Sequence, residues 1–186
     1  MTDTVTTPNA GEAEQRILDV RGLRTHFYTR AGVIKAVTGV DFHVNKGEVL
    51  GLVGESGCGK SVTSLTILGL VGEPGKVEGG EVLFHGQDLL KMSNEEMRKI
   101  RGNRISMIFQ DPMMTLNPVL TIGTQMVETL QAHRSITRAE AEAIALKKLK
   151  KVQIPSPEKR LAQYPHEFSG GQRQRIGIAR ALSVRP

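Results

Sequence analysis

The sequence predicts an α/β fold in which strands and helices alternate and a mostly helical segment is inserted. Residues 49–54 form a nearly continuous apolar run, which is typical of a strand buried on both faces. Residues 61–70 have the length and apolar spacing of a helix. The region from about 112 to 168 is mostly helical in pattern. This order of elements favours one α/β core with a helical insertion over two independent domains.

Further strands are predicted on either side of this strand and helix. In each, apolar residues run together or alternate with polar ones, and the segments are 17–28, 40–44, 81–86 and 105–110. The segment 40–44 is followed by Asn45, Lys46 and Gly47, which are typical turn residues.

Two more helices are predicted from capping boxes, in which a hydroxyl residue is followed three positions later by Glu. The first box is Ser93 with Glu96, and the second is Thr137 with Glu140. The second helix carries an apolar stripe, which consists of Ala141, Ala145, Leu149 and Val152. The lysines of that helix lie off the stripe, so we interpret them as a solvated face.

Composition limits the class of protein without fixing it. The chain has 186 residues, 39% hydrophobic and 24% charged, as in soluble globular proteins. A net charge of +6 admits nucleic acid, anionic lipid or phosphorylated ligands as partners, and a solvated basic surface is the alternative. The single cysteine excludes an internal disulfide, and the five scattered histidines predict no metal cluster.

Two further features concern targeting and order. Residues 1–15 lack large apolar side chains almost entirely and predict a flexible tail. The first twenty residues contain no apolar core of a signal peptide, and the longest apolar stretch, around Leu65 to Val71, is too short to span a bilayer. We therefore expect a cytoplasmic protein.

The segment GESGCGKS, Gly54–Ser61, fits the pattern G-x-x-x-x-G-K-[ST] between a predicted strand and a predicted helix. Glycines let the backbone curl with its N–H groups inward, and the helix N-terminus adds unpaired amides. Lys60 supplies a charge for the β- and γ-phosphates, and the Ser61 hydroxyl is suited to Mg²⁺. We predict that the nucleotide-binding residues are Gly54, Glu55, Ser56, Gly57, Cys58, Gly59, Lys60, Ser61 and Val62.

Two later segments narrow the choice among phosphate-binding proteins. FSGGQRQR, residues 168–175, resembles the signature motif of the ATP-binding cassette (ABC) family, with Phe168 in place of the usual Leu. MIFQDPMMTLNP, residues 107–118, resembles the Q-loop of that family, with Gln110 as its key residue. With YPHEFSGGQRQRIGIARAL, these motifs are similar to the branch that powers di- and oligopeptide uptake and its nickel-transporting relatives.

The resemblance, which runs from about residue 17 to the last residue, implies a P-loop NTPase (RecA-like) core with an N-terminal antiparallel β subdomain and an inserted α-helical subdomain. It places the β subdomain and core in residues 16–111, the helical subdomain in 112–172 and the signature helix, returning to the core, in 173–186. It also implies ATP and Mg²⁺ as ligands.

The resemblance further implies roles for particular residues. Lys60 and Gln110 are the expected catalytic residues, with Ser61 and Gln110 near Mg²⁺. Either Phe27 or Tyr28 stacks on adenine, although an ordinary strand aromatic is the alternative for both. Two subunits close around two ATP molecules, and the residues offered to the partner's ATP are Ser169, Gly170, Gly171 and Gln172. Taken without the other motifs, SGG is also compatible with a flexible turn that caps a helix.

The implied partners are a second ATP-binding subunit, membrane permease subunits and, indirectly, a solute-binding protein, with the chain peripheral on the inner face of the membrane. Nucleic acid is not expected as a partner. The alternatives are a soluble ABC-type ATPase acting on nucleic acid or ribosomes, and a small P-loop kinase or GTPase.

The Walker B segment, an apolar strand ending in Asp and Glu, follows the signature helix in this family, whereas here ALSVRP ends the sequence. Asp111 follows an apolar run, but it comes after Gln110 and is not assigned to Walker B. We therefore expect a core truncated at its C-terminus. We expect ATPase activity in a full-length protein, and binding rather than hydrolysis of ATP by residues 1–186.

Overall fold

The computed structural model describes residues 16–110 and 115–184. The chain divides into two compact units, Met1–Met97 and Arg98–Pro186. The expected flexible tail, residues 1–15, lies outside the described residues.

An antiparallel sheet dominates the first unit. Its strands lie in the order β2-β1-β3-β4, and they are β1 (Arg16–Thr29), β2 (Gly32–Asn45), β3 (Gly75–Phe84) and β4 (Gln87–Asp88). The strand predicted at 17–28 is confirmed as β1. The segment 40–44 forms the second half of β2, and the segment 81–86 overlaps the end of β3.

The pairing of β1 with β2 contains an irregularity that is important for the site. Thr25 lies opposite Val37, and the next residue, His26, lies opposite Lys35. Ala36 is therefore an extra residue on β2, a β-bulge. Such a bulge locally bends the strand and changes the direction of its backbone groups.

Two helices follow strands of the sheet along the chain. Helix α1 (Lys60–Ile67) comes after β2, and helix α2 (Asn94–Ile100) comes after a 3-10 turn, Leu89–Lys91. The predicted box at the start of α2 is confirmed: Ser93 N–H donates to a Glu96 carboxylate oxygen at 2.7 Å, and Glu96 N–H donates to the Ser93 hydroxyl at 3.3 Å.

The second unit is helical in its described part. Its helices are α3 (Ile122–Gln131), α4 (Arg138–Lys151), α5 (Pro157–Arg160) and α6 (Gly170–Ser183), with a 3-10 turn at Pro165–Glu167. The apolar core is formed chiefly by Leu116, Ile122, Met126, Ala145, Leu149, Ile154, Phe168, Ile176 and Ala179. The described part of the region predicted as helical, residues 115–168, contains three of these helices. The predicted Thr137–Glu140 capping box is confirmed.

Two predicted strands are wrong. Residues 49–54 and 105–110 form no strand in the described part of the chain, apart from a single bridge between Arg101 and Ile105. Val49 is 96% and Val53 98% exposed, rather than buried on both faces. An apolar run becomes a buried strand only when neighbouring strands satisfy its backbone and other elements cover its faces. No described strand pairs with either segment.

Candidate functional site

The loop before α1 has the curled backbone that its glycines predict. Gly57 and Gly59 have φ values of 83° and 95°, in the left-handed region that side chains disfavour. Cys58 N–H donates to the Glu55 carbonyl at 3.3 Å and closes the curl. Gly59 is the N-cap residue of α1, and no side chain caps this helix. The first amides of α1 are therefore left to other acceptors.

Gly59 is also fixed by its neighbour on β2. A Cβ placed on Gly59 would collide with the carbonyl oxygen of Ala36 and lie 3.6 Å from Val37 Cγ2. Ala36 is the bulged residue of β2, so the bulge and the loop meet backbone to backbone. Glycine is required here both by its backbone angle and by the space available.

The Lys60 ammonium lies within the curl of the loop. Its Nζ donates to the Gly54 carbonyl at 2.6 Å and to the Glu55 carbonyl at 2.7 Å, and lies 3.3 Å from Cys58 Sγ. Two carbonyl dipoles thus hold a full positive charge at the N-terminus of α1. This arrangement concentrates positive potential where an anion would bind.

The hydroxyls of α1 fall into two groups. Those of Thr63, Ser64 and Thr66 donate to backbone carbonyls four residues earlier, at 2.7–3.3 Å. The exposed Ser61 hydroxyl makes no such bond within the described chain. The first turn of α1 also contains no acidic residue. Because a neutral hydroxyl beside a phosphate site is a known Mg²⁺ ligand, this donor set fits the metal.

Helix α1 is fastened to the sheet by a buried polar contact. The hydroxyls of Thr25 on β1 and Thr66 lie 2.9 Å apart, and both residues are fully buried. Since the Thr66 hydroxyl donates to the Val62 carbonyl, Thr25 is the donor of the pair. No local sequence pattern marks Thr25, Thr66 or Ala36, because their contacts join residues that lie far apart in the chain.

The two aromatic candidates lie side by side on β1 but differ in environment. Phe27 is half-buried, and its ring packs so closely on Gly75 that a Cβ there would lie 2.7 Å from Phe27 Cε1. Tyr28 is 48% exposed, and its hydroxyl donates to Glu78 at 2.9 Å. This hydrogen bond raises the pKa of the Tyr28 hydroxyl.

The residues of the predicted signature motif begin α6. Ser169 is the N-cap residue: its hydroxyl accepts from Gln172 N–H at 3.3 Å, and Gln172 Oε1 accepts from Ser169 N–H at 3.0 Å. Gly170 and Gly171 are exposed, have no positive φ, and would have open space around an added Cβ. Nothing in the described chain requires glycine at these two positions.

The start of α6 is held by its surroundings. Phe168 is buried in the core at 3% exposure, with the Arg160 guanidinium 5.4 Å from its ring centroid. Arg175 donates to the Gln153 carbonyl at 3.1 Å. Burial lowers the pKa of Arg180, farther along the same helix.

In the described structure, the predicted site residues of the phosphate loop and of the signature motif form two groups, one in each unit. Gly54–Val62 form the loop and first turn of α1 in the first unit, and Ser169–Gln172 form the start of α6 in the second. Gln110 is exposed. Within the described ranges there is no helix long and apolar enough to cross a membrane, and no group of three or more residues suited to hold a metal on its own.

Comparison with known proteins defines the class. The model of the ABC transporter family matches residues 37–186. The chain therefore belongs to the ABC transporter family. It is also similar in structure to a dimeric, post-hydrolysis state of the ATP-binding cassette MJ0796 bound to ADP and Pi, with a TM-score of 0.80 and 27% identity over 91% of this chain and 70% of that one.

Individual relatives point to one branch of the family. The chain is 56% identical to the probable peptide ABC transporter ATP-binding protein y4tR of Sinorhizobium fredii, over 91% of this chain and 51% of the relative. It is 50% identical to the oligopeptide transport ATP-binding protein OppD of Bacillus subtilis, over 92% of this chain and 48% of OppD. It is 51% identical to the dipeptide transport ATP-binding protein DppD of the same organism, over 92% of this chain and 52% of DppD. The chain thus spans about half the length of these relatives.

Proposed function

We propose that the complete protein is the ATP-binding, energy-coupling subunit of an ABC importer for di- or oligopeptides. The observation that carries this proposal is the Lys60 ammonium, held in a glycine curl at the uncapped N-terminus of α1. The cargo class rests on the names of the relatives. Nickel as cargo stays a prediction of the sequence.

Each group of the loop has a role in this proposal. Lys60 binds the β- and γ-phosphates, and the amides at the start of α1 bind phosphate oxygens. Ser61 holds Mg²⁺ through a hydroxyl that no backbone carbonyl of the described chain engages. Bound Mg²⁺ neutralises charge that develops on the phosphates. Gln110 is the second catalytic residue of the proposal, and it lies near the Mg²⁺ and the attacking water.

Adenine stacks on one of the two aromatic residues of β1. Neighbouring residues of a strand point to opposite faces of the sheet, so one base cannot stack on both Phe27 and Tyr28. The ring of Tyr28 is exposed and that of Phe27 is half-buried. Measuring ATP affinity in the Phe27→Ala and Tyr28→Ala variants decides which of the two stacks on adenine.

The signature residues act on a second subunit. We propose that Ser169, Gly170, Gly171 and Gln172 contact the ATP bound by a partner ATP-binding subunit. Support comes from the open space beside Gly170 and Gly171, where no described residue of the chain lies within 4 Å of an added Cβ. The dimeric cassette MJ0796, bound to ADP and Pi, is consistent with such pairing. Permease subunits, and indirectly a solute-binding protein, complete the proposed assembly at the inner face of the membrane.

The test is hydrolysis by the complete protein assembled with its permease subunits. Lys60→Ala is expected to reduce Mg-dependent ATPase activity by about 100-fold or more. Lys46→Ala, in the exposed turn after β2, is the matched control and should retain wild-type activity. A preference for GTP over ATP, phosphate transfer to a small acceptor, or unchanged turnover in Lys60→Ala would overturn the proposal.

A further inference from the structure

Two aromatic side chains of the second unit are exposed as a parallel pair just before α6. The rings of Tyr164 and His166 have centroids 5.8 Å apart and an interplanar angle of 13°. Tyr164 is 41% exposed, and His166 is exposed as well. Within the described chain, neither the Tyr164 hydroxyl nor the His166 imidazole forms a hydrogen bond. The pair therefore presents both flat apolar surface and polar edges to a ligand.

The backbone beneath this pair is firmly held. Glu167 accepts a hydrogen bond from Tyr164 N–H at 2.6 Å, and its own N–H donates to the Tyr164 carbonyl at 3.0 Å. Gln163 Nε2 donates to Glu167 Oε1 at 3.0 Å. Pro165 between the two rings is buried, and Phe168 after them is anchored in the core. A ligand would therefore meet rings that are already positioned, at little cost in ordering.

The position of the pair points to one ligand. His166 lies three residues before Ser169, so their Cα atoms are at most about 11 Å apart. This limits the pair to the neighbourhood of the proposed γ-phosphate contact. We propose that Tyr164 and His166 stack on the base of the ATP molecule bound by the partner subunit. This inference rests on the proposed function, in which Ser169–Gln172 contact the phosphate end of that same molecule.

Chemistry favours a nucleobase over an apolar protein segment. A base offers a flat π-face for stacking and leaves the polar edges of Tyr164 and His166 in contact with water. An apolar helix would leave the hydroxyl and the imidazole desolvated and unpaired, which is unfavourable. The phosphate-facing glycines and the base-facing rings would then occupy one continuous stretch of chain, residues 164–171.

The experiment measures ATPase kinetics of the complete subunit, assembled with its partner subunits. Stacking on an aromatic side chain contributes about 1–3 kcal/mol per base, or about 5- to 150-fold in affinity. The double variant Tyr164→Ala, His166→Ala should raise KM for ATP at least about fivefold, with kcat little changed. Tyr164→Phe and His166→Phe keep the aromatic rings and are the matched comparison, so their KM should rise by less than that of the double alanine variant.

A second measurement assigns the contact to the partner's nucleotide. Mg-ATP affinity of the isolated, monomeric subunit should be the same for wild type and the double variant, because the rings do not touch the nucleotide of their own subunit. Unchanged KM in the double variant, or a loss of monomer affinity, would overturn the inference. An equal rise in KM for Tyr164→Phe would also do so, since stacking does not need the hydroxyl. If the wild type hydrolyses no ATP, the proposed function fails first and this inference with it.

Discussion

Helices α1 and α6 both begin with glycine-rich sequence, yet their first turns are built differently. Helix α1 has Gly59 as its N-cap residue and no side-chain cap. Helix α6 is capped by Ser169, whose box with Gln172 satisfies amides at both positions. The amides at the start of α1 are thus available to a ligand. In α6 the box engages the amides of Ser169 and Gln172, while no such bond within the described chain engages those of Gly170 and Gly171.

The glycines at the start of the two helices also differ in whether the fold of the chain requires them. Gly59 has a positive φ and lies against the Ala36 carbonyl, so the fold of the chain requires it. Gly170 and Gly171 adopt helical geometry with open space beside them, where alanine would be more favourable for the helix. Glycine that the fold does not need indicates a requirement from outside the chain. This difference supports the proposal that one site is built within a subunit and the other between two subunits.

The largest expected effect comes from filling the open space at α6. The double variant Gly170→Ala, Gly171→Ala should reduce ATPase activity of the complete protein by about 100-fold, because the methyl groups hold the partner's phosphate away from the amides. The free energy of unfolding should rise, by up to about 1 kcal/mol per site.

Gly177→Ala in the same helix is the matched control. A Cβ there would meet Thr115 Oγ1 at 3.8 Å, an ordinary contact. Stability should rise similarly while ATPase activity stays at the wild-type level. Full activity in the double variant would show that α6 does not receive a phosphate, and the contrast with α1 would be lost.

The next effect is on folding of the loop before α1. Gly59→Ala and Gly57→Ala both force alanine into left-handed geometry, at about 1–2 kcal/mol each. Only at Gly59 does the methyl group also meet the Ala36 carbonyl, whereas Gly57 has open space. Urea unfolding should therefore show a loss about 1–3 kcal/mol greater for Gly59→Ala. Equal losses would mean that the loop moves away from the bulge without cost.

A smaller effect distinguishes the two uses of a capping hydroxyl. Ser169→Ala and Thr137→Ala each remove an N-cap hydrogen bond, at about 1 kcal/mol. Hydrogen exchange of the amides at the start of α6 and α4 should report this loss in each variant. ATPase activity should fall only in Ser169→Ala, since Thr137 faces no proposed nucleotide. An equal fall in both variants would assign the loss to helix stability alone.

The sequence was most informative where structure is local. The predicted capping boxes at Ser93 and Thr137 join residues three positions apart, so the pattern contains all the interacting groups. The phosphate loop is recognisable for the same reason, because its curl depends on the angles of its own glycines. The first half of β2 was not predicted, although it completes a hairpin with β1.

Prediction failed where structure depends on distant partners. The apolar runs 49–54 and 105–110 resemble buried strands, but burial requires other segments to cover them. The contact of Gly59 with Ala36 and the Thr25–Thr66 pair leave no local pattern. Each joins the phosphate loop or its helix to strands that precede it in the chain, which only the fold reveals.

The smallest expected effect is a difference in pH dependence between the capping boxes of α4 and α6. Hydrogen bonds from the Thr137 N–H and hydroxyl lower the pKa of Glu140. A carboxylate with a lowered pKa stabilises the folded state above its unfolded pKa of about 4.3, and this contribution is lost as pH falls through the folded value. Gln172 does not titrate, so the α6 box should be unaffected. Hydrogen exchange should therefore show the first turn of α4, but not that of α6, opening more readily at pH 3 than at pH 7, and Glu140→Gln should abolish this difference.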